Sequence, residues 1–396
     1  MLFIGKISLL EKMRHEALTG LLLLLVIFLN NDAINKIKLA FKNGAWKAYV
    51  LFGFVTFLSI PFSVWPGNAF HLFIDFFKLF LFCLMIVGCI RGEKEFNSFV
   101  VLFIICMVYV TLGAFQNHLT GTYAFDYATG TYRIESPIKF YRNSNVLAVS
   151  ILQCLPFIYY RIIHNVIIKK KVENALLLII MGLMMFIVVL TGSRGGFLVF
   201  AGLMVFISYR SQYRKSAMLI MLIVAVGIWI LMGQEYQNRY STISELGQSD
   251  KPAHDRILGL QHGFEMLLSR PIIGVGIGCY QHARWHMFNN PLWAHNLPGQ
   301  LMGELGVSGT IVFIILLWQC YRNTIKARIL LADNGFRLSS LYSHAMAIEA
   351  SLFAQIINGI GQHSLYLYGF YLMNALSVAL LRITENKVEV QESSEK

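Results

Sequence analysis

The chain has 396 residues, of which 56% are hydrophobic and only 14% are charged. A soluble domain carries roughly a quarter charged residues, so the composition excludes a soluble enzyme and predicts an all-α, polytopic membrane protein. The formal net charge of +12 would suit nucleic acid or anionic lipid, but the basic residues cluster in short connectors. This distribution indicates membrane topology, and no nucleic-acid partner is expected.

Apolar runs predict eleven membrane-spanning helices, twelve if a short segment is added. The first run is expected to be a retained span, because no small-residue cleavage site follows it. The runs lie at about 17–30, 46–63, 69–90, 97–116, 145–163, 174–191, 197–209, 216–232, 297–319, 341–360 and 364–382.

Five basic clusters separate pairs of these spans, and the positive-inside rule places all five in the cytoplasm. They are Lys36/Lys38/Lys42/Lys47, Arg91/Lys94, Arg161/Lys169/Lys170/Lys171, Arg210/Arg214/Lys215 and Arg322/Lys326/Arg328/Arg337. The connectors at about 63–68, 117–144, 192–196, 233–296 and 361–363 are then extracytoplasmic. Eleven spans would also place the basic N-terminus outside, and a short or re-entrant segment within 31–46 would resolve that conflict.

The chain therefore divides into four predicted parts. Residues 1–232 hold spans 1–8 with an outer loop at 117–144, 233–296 form a large outer loop, 297–382 hold the C-terminal spans, and 383–396 form a cytoplasmic tail. The charged tail after Arg382 is expected to be disordered.

The loop 117–144 places polar and aromatic side chains at a membrane boundary. It leads through Arg142 to Asn145, at the start of a span, and contains Tyr123, Tyr127, Tyr132 and Tyr141. The tyrosines suit stacking on sugar rings, or equally an interfacial aromatic belt.

Arg194 lies in the very short outer turn Thr191–Gly196, between two apolar runs. One interpretation is an arginine that snorkels to the interface, with glycines forming the turn. The other is a guanidinium fixed at the membrane surface to bind a phosphate.

The loop 233–296 has balanced charge, so it is not a polybasic patch. Apolar residues recur at helical spacing from Asp255 to Ser269, and Pro271 ends the helix. Arg256 is predicted in the first turn, where free backbone N–H groups also attract anions. The alternative is an arginine paired with a nearby carboxylate. The following run Gly274–Gly278 predicts a turn rather than a nucleotide loop, since no strand–helix unit surrounds it.

His295 and Asn296 close this loop immediately before a span that contains Glu304. A neutral imidazole here can accept a proton from a hydroxyl group. Together with His282 and His286 it matches no compact zinc motif, so no metal and no cofactor are expected. Glu304, within an apolar span, needs a partner: it orients His295 or a loop arginine, or bonds within the bundle. His363, at a short outer turn, is a weaker candidate for the same cavity.

The ordered set of motifs resembles the bacterial O-antigen ligase and polymerase superfamily of membrane glycosyltransferases. The resemblance covers about 140–320, and its stretches are Leu190–Gly196, Gln237–Tyr240, Asp255–Arg256, Arg270–Gly276, His295–Asn296 and Gly303–Gly306 with Gly309, while Asn143–Asn145 also looks like the family.

The resemblance implies a helical bundle of the membrane glycosyltransferase type, with a helical periplasmic loop above the cavity. The implied donor is a glycan on undecaprenyl diphosphate, and the acceptor is a sugar hydroxyl of lipid A–core or another glycan. Arg194 and Arg256 would hold the diphosphate, and His295 would be the general base. The remaining substrate-binding candidates are Arg239, Asn296, Glu304, Asn145 and Arg142. The implied location is the bacterial inner membrane, among its lipids, with the active site facing the periplasm.

Metal-free transfer is physically reasonable, because arginines can neutralise the charge that grows on a diphosphate leaving group. A single displacement predicts inversion at the anomeric carbon. An O-antigen ligase is favoured over an O-antigen or exopolysaccharide polymerase because only one outer loop is large. A protein O-glycosyltransferase fits less well, since no large outer domain follows the last span. A membrane transporter is the alternative of another class, with Asp75, Lys78, Glu304 and Glu349 as its candidate intramembrane charges.

Overall fold

The computed structural model describes residues 15–126, 130–210 and 251–394. Within these ranges the chain is almost entirely helical, as predicted, with one hairpin of two three-residue strands. The predicted span 216–232 and the segment 233–250, which includes Arg239, lie outside the described residues. The helices are α1 His15–Leu29, α2 Asn31–Ala40, α3 Gly44–Leu58, α4 Pro66–Cys89, α5 Glu93–Leu119, α6 Ser144–Ile167, α7 Lys171–Leu190, α8 Arg194–Arg210, α9 Lys251–Ser269, α10 Tyr280–Phe288, α11 Leu297–Asp333, α12 Ser340–Gly361 and α13 Tyr368–Ser394; strands β1 Ala124–Asp126 and β2 Thr131–Arg133 pair antiparallel.

Five of the described helices, α4, α5, α6, α7 and α11, are long and apolar enough to cross a membrane. A sixth span results if α1 and α2 are taken together, although they meet at 94°. Asn30 produces this bend, because its side chain accepts the backbone N–H groups of Asp32 and Ala33 and so starts a new helix. The range 31–46, suggested from the sequence to hold an extra segment, contains the ten-residue helix α2.

Within the described residues, the predicted basic connectors meet at one end of the bundle, which we call the basic end. Lys387 pairs with Glu93 at 2.7 Å, and Lys326 pairs with Glu385 at 2.6 Å. These bridges link helices that are far apart in sequence. The alternation of connectors in the sequence thus corresponds to two ends of a folded bundle, as the charge pattern predicts.

The predicted disorder of the tail is wrong, because α13 continues without a break to Ser394. Arg382 is buried and donates to the carbonyl oxygens of Val87 and Ile90, which lie at the end of α4. Beyond it, Glu385 and Lys387 form the ion pairs just described. Charged side chains of this segment therefore interact with other helices, and the segment is folded rather than disordered.

Helices α8 and α12 run antiparallel, and their contacts advance in steps of four residues. Arg210 reaches Glu349 at 2.9 Å, the rings of Phe206 and Phe353 stack at 4.6 Å, and Gly202 lies against Ile357. Continuing this register places Leu198 beside Gly361, with Arg194 one turn beyond, about 5.4 Å further along the axis. The first residue of α8 thus lies at the C-terminal end of α12.

Helix α6 follows α12 in the same antiparallel manner. The hydroxyl of Ser351 on α12 donates to the carbonyl of Gln153 on α6 at 2.8 Å, and the Gln153 amide donates to the carbonyl of Gly369 at 3.0 Å. This pairing brings the beginning of α6 to the end of α12 as well. The two ends of the bundle are therefore different: the second, which we call the loop end, collects the starts of α6 and α8 and the end of α12.

The helix α11 is broken at Gly306, whose φ of 62° and ψ of −157° are not helical. The turn after α9 fills the break. The N–H groups of Val275 and Gly276 donate to the carbonyls of Gly303 and Glu304, both at 2.9 Å, and Val307 N–H donates to the carbonyl of Pro271 at 2.8 Å. Because these hydrogen bonds replace those that the helix loses at Gly306, the break leaves few backbone groups without a partner.

Candidate active site at the loop end

Two of the sequence-predicted arginines converge on the end of α12. Arg256 donates from Nε to the carbonyl oxygen of Gly361 at 3.1 Å. Arg194 begins α8, whose register with α12 carries it to the same level. Arg194 and Arg256, which are 62 positions apart in the chain, are thereby brought to one site. The sequence suggested this proximity only through the family resemblance.

The turn that presents Arg194 is held by a polar network. The Ser193 hydroxyl accepts the N–H of Gly196 at 3.0 Å, which caps α8, and donates to Asn145 Oδ1 at 2.8 Å. Arg133 donates to the same Asn145 oxygen at 2.7 Å and to the carbonyl of Thr191 at 2.8 Å. The oxygen of Asn145, predicted to contact substrate, is thus already accepting two hydrogen bonds that position the turn.

Arg133 is a site residue that sequence reasoning missed. It ends strand β2, is only 8% exposed and also forms an ion pair with Asp126 of β1 at 3.1 Å. The signal in the sequence was weak: an aspartate four residues before Gly130 and an arginine three residues after it. A buried guanidinium that bonds a carboxylate, an amide and a carbonyl holds three chain segments together.

Helix α9 confirms the predicted helix ending before Pro271, but its described part already includes Lys251, four residues before Asp255. Arg256 is therefore beyond the first turn, and the predicted assistance from free N–H groups there is wrong. Its backbone is instead fixed by Asn296, whose Nδ2 donates to the Arg256 carbonyl at 2.8 Å while Oδ1 accepts the N–H of Gly299 at 2.6 Å. Asn296 thus caps α11 and ties it to α9.

Glycines allow α9 and the start of α11 to touch. A Cβ atom on Gly259 would lie 2.0 Å from the carbonyl oxygen of Ala294, and one on Gly263 would lie 2.3 Å from that of Gly299. Only hydrogen side chains permit this approach. The contact fixes the distance between Arg256 on one helix and His295 immediately before the other.

His295 has a left-handed backbone, with φ of 52°. Its ring lies edge-on to that of His363, with centroids 5.5 Å apart, and His363 stacks on Trp293 at 5.2 Å. Burial and the neighbouring positive charge of Arg256 lower the pKa of His295 below 6.5, although Asp255 opposes this. The imidazole is therefore neutral at pH 7, as a base for a hydroxyl group requires.

His363, the weaker candidate in the sequence, is a direct neighbour of the proposed base. Burial and the proximity of His295 lower its pKa to about 4. It is neutral under physiological conditions, so it adds no charge beside His295. Its Nδ1 atom is buried and accepts or donates no hydrogen bond within the described part of the chain.

Glu304 occupies a supporting position. Its side chain is fully buried, and Oε2 accepts the N–H of Gly278 at 2.9 Å and the hydroxyl of Tyr366 at 2.7 Å. Of the three alternatives considered for this carboxylate, these contacts match hydrogen bonding within the bundle. Glu304 joins the turn after α9 to the segment between α12 and α13 that carries His363.

The remaining predicted residues are less central in the described structure. Arg142 is exposed, and its Nε lies 3.4 Å from the carbonyl of Pro137. The run Gly274–Gly278 is the turn that enters the break of α11, which confirms the prediction of a turn rather than a nucleotide loop. Arg239 lies outside the described residues.

Taken together, the described fold is that of a multi-pass helical membrane protein with a cationic, histidine-containing site at one end. Residues 178–314 match the family model described as O-antigen ligase. This match supports the O-antigen ligase superfamily and confirms the resemblance stated from the motifs. The comparison with curated proteins found no match.

The matched segment includes Arg194, Arg256, His295 and Glu304, whereas Arg142 and Asn145 precede it. The matched family implies a glycosyl-transfer enzyme in general terms, with a lipid-linked glycan and a polysaccharide acceptor.

Proposed function

We propose that this protein is an O-antigen ligase, which transfers a glycan from undecaprenyl diphosphate to a sugar hydroxyl of lipid A–core. The observation that carries the proposal is the convergence of Arg194, Arg256 and a neutral His295 around the outer end of α12. Two guanidinium groups suit a diphosphate, and the imidazole suits an attacking hydroxyl group.

In the proposed reaction, the acceptor oxygen forms a bond to the anomeric carbon as the bond from that carbon to the diphosphate oxygen breaks. The hydroxyl proton passes to His295, and the electron pair of the broken bond leaves with undecaprenyl diphosphate. Arg194 and Arg256 stabilise the charge that develops on this leaving group without a metal. A single displacement inverts the anomeric carbon, so a product with retained configuration would contradict this mechanism.

The other sequence candidates take secondary roles in the proposal. Asn296 positions Arg256, and Asn145 positions the turn of Arg194, through the hydrogen bonds described above. Glu304 supports the segment that carries His363. Arg142 and Arg239 are proposed to bind outlying parts of the donor.

The location is part of the same proposal. We place the protein in the bacterial inner membrane with the basic end in the cytoplasm and the loop end in the periplasm, as the positive-inside rule requires. A lipid-linked donor then reaches the arginines from within the membrane, and the acceptor reaches His295 from the periplasm.

The candidate intramembrane charges give little support for a transporter. Asp75 and Lys78 pair with each other at 2.7 Å on an exposed face, with side chains 67% and 68% accessible. Glu349 is bound by Arg210 and Arg328 at 2.9 and 3.0 Å. Charges neutralised within the protein do not form a path for a solute.

Deletion of the gene, followed by gel analysis of lipopolysaccharide and of the undecaprenyl-linked pool, separates the possible functions. A ligase predicts core-only lipopolysaccharide with long polymer accumulating on the lipid carrier. Core that bears a single repeat unit, with no long polymer, would instead identify the polymerase. An unchanged ladder would refute both.

Complementation with site variants tests the proposed residues. We expect His295→Asn to lower the rate of transfer about 10²–10⁴-fold, the usual contribution of a general base. Asparagine tolerates the left-handed backbone of this position, so the loop is retained. His286→Asn is the matched control, because this exposed histidine of α10 is outside the site. Arg194→Gln should also abolish ligation, whereas Arg337→Gln, an exposed arginine at the basic end, should not.

A further inference from the structure

A second cavity lies at the basic end, far from the candidate active site. Its volume is about 730 Å³, and it opens between α5, α6 and the start of α12. The residues that carry the argument are Lys94 and Asn97 of α5, Arg161 and His164 of α6, Lys170 immediately before α7, and His344 of α12.

The floor of this cavity is a fixed polar network. Asn97 binds the ring of His344 at 2.6 Å and donates to the Ser340 hydroxyl at 3.0 Å. Ser340 in turn donates to Glu93 at 2.6 Å, and Lys387 neutralises that carboxylate at 2.7 Å. These groups are preorganised, since their side chains are already held in place by one another.

The walls carry an excess of positive charge. Arg161 binds Glu173 through Nε at 2.6 Å, and Lys170 approaches the same carboxylate at 3.6 Å, so two cations share one anion. Within the described part of the chain, the terminal nitrogens of Arg161 and the ammonium of Lys94 have no hydrogen-bond partner. Such donors suit a phosphate group.

The cavity also borders an exposed apolar surface. The α5 face that contributes Ser98 and Val101 to the cavity continues at helical spacing with Leu102 and Ile105, which are 56% and 57% exposed. Val166 on α6 is 64% exposed. A soluble ion needs no apolar rim, whereas an acyl chain does.

We propose that this cavity binds the phosphate headgroup of an anionic phospholipid, with its acyl chains lying along α5 and α6. Arg161, Lys94 and Lys170 contact the phosphate, and Asn97 and Ser343 contact the remainder of the headgroup. The site is independent of the glycan-transfer chemistry at the loop end.

Native mass spectrometry of the full-length protein tests the proposal, with phosphatidylglycerol and phosphatidylcholine as probes. We expect one phosphatidylglycerol to be retained preferentially. Lys94→Gln/Lys170→Gln should weaken its binding at least about tenfold, because each basic group near the membrane surface adds to the attraction of anionic lipid. Both lysines are exposed, so the fold should be preserved. Arg161→Gln should have the same effect.

The control is Lys171→Gln/Arg337→Gln, which removes the same charge from exposed positions that do not line the cavity. Equal lipid binding by the two double variants would refute the site. Saturable binding of inorganic phosphate to protein in phosphatidylcholine nanodiscs, lost in Lys94→Gln/Lys170→Gln, would identify a soluble phosphate and overturn the lipid assignment.

Discussion

At the scale of single residues, the conformation of His295 is the most informative detail. Its φ of 52° costs a non-glycine residue about 1–2 kcal/mol. The surrounding chain fixes this conformation, because Ala294 packs on α9 and Asn296 caps α11. Strain maintained at a residue with a functional side chain is typical of active sites.

The pKa of His295 leads to a prediction about pH. Transfer requires the neutral imidazole, so the rate should rise as the pH increases through the pKa of His295 and then remain constant. Because burial and Arg256 lower this pKa, the midpoint should lie below 6.5. Asp255→Asn removes a negative charge that raises the pKa, so the midpoint should move lower still.

The measurement is kcat/KM against pH with purified protein. The control is Glu265→Gln, which removes a carboxylate from the same helix α9. Glu265 is not among the charges that shift the pKa of His295, so this variant should leave the midpoint unchanged. A midpoint above 6.5, or one unaffected by Asp255→Asn, would contradict the assignment of His295 as the base.

Arg133 gives a second prediction at this scale. Arg133→Gln removes the bonds to Thr191, Asn145 and Asp126, so the turn that presents Arg194 loses its support. A loss of about 1.4 kcal/mol in diphosphate stabilisation lowers kcat/KM about tenfold. We therefore expect at least a tenfold fall in transfer measured in membranes, with the protein still inserted. Lys139→Gln, an exposed residue of the same loop, should retain the wild-type rate.

At the scale of elements, the break in α11 determines how the site is built. A continuous helix would exclude the turn Arg270–Gly278, whose backbone bonds satisfy the groups freed at Gly306. Gly278 of this turn donates its N–H to the carboxylate of Glu304. The same carboxylate accepts the hydroxyl of Tyr366, which lies three residues after His363. The motif Gly303–Gly306 therefore supports the site through backbone hydrogen bonds and through the carboxylate of Glu304.

Substitution of Gly306 tests this account. A Cβ atom at this position would lie 2.7 Å from backbone atoms of Ile272, and φ is positive, so Gly306→Ala should destabilise the protein by about 1–3 kcal/mol. The measurement is thermal unfolding in detergent. Gly182→Ala in α7 is the matched control, since nothing lies within 4 Å of its added Cβ; it should leave the midpoint unchanged or raise it. Equal midpoints for both variants would exclude a packing role for the break.

At the scale of the whole molecule, the basic connectors and the proposed glycan-transfer site lie at opposite ends of the bundle. The basic end joins distant helices through pairs such as Lys387–Glu93 and Lys326–Glu385. The loop end collects Arg194, Arg256 and His295. Antiparallel helices connect the two ends. The position of either end relative to the membrane therefore determines the position of the other.

Cysteine labelling tests the proposed orientation. In a cysteine-free background, Tyr132→Cys and Leu338→Cys introduce thiols at positions that are 58% and 62% exposed at the two ends. An impermeant maleimide applied to intact spheroplasts should label Tyr132→Cys and should label Leu338→Cys only after lysis. The reverse pattern would invert the topology and remove the site from the periplasm.

Much of this molecule is determined by the sequence alone. Continuous apolar runs require helices in a membrane, because each backbone group must be paired within its own segment. The positions of basic connectors fix the two ends, and the motifs around Arg194 and His295 identify the family. Even the turn Gly274–Gly278 follows from local composition.

Only the tertiary structure decided how these parts meet. The role of Arg133, the contact between His295 and His363 and the partners of Glu304 all join residues distant in the chain, which local patterns do not encode. The predicted tail disorder was wrong for the same reason. Its charges look solvated in the sequence, but the ion pairs that order Glu385 and Lys387 exist only once α5 and α11 have been brought beside α13.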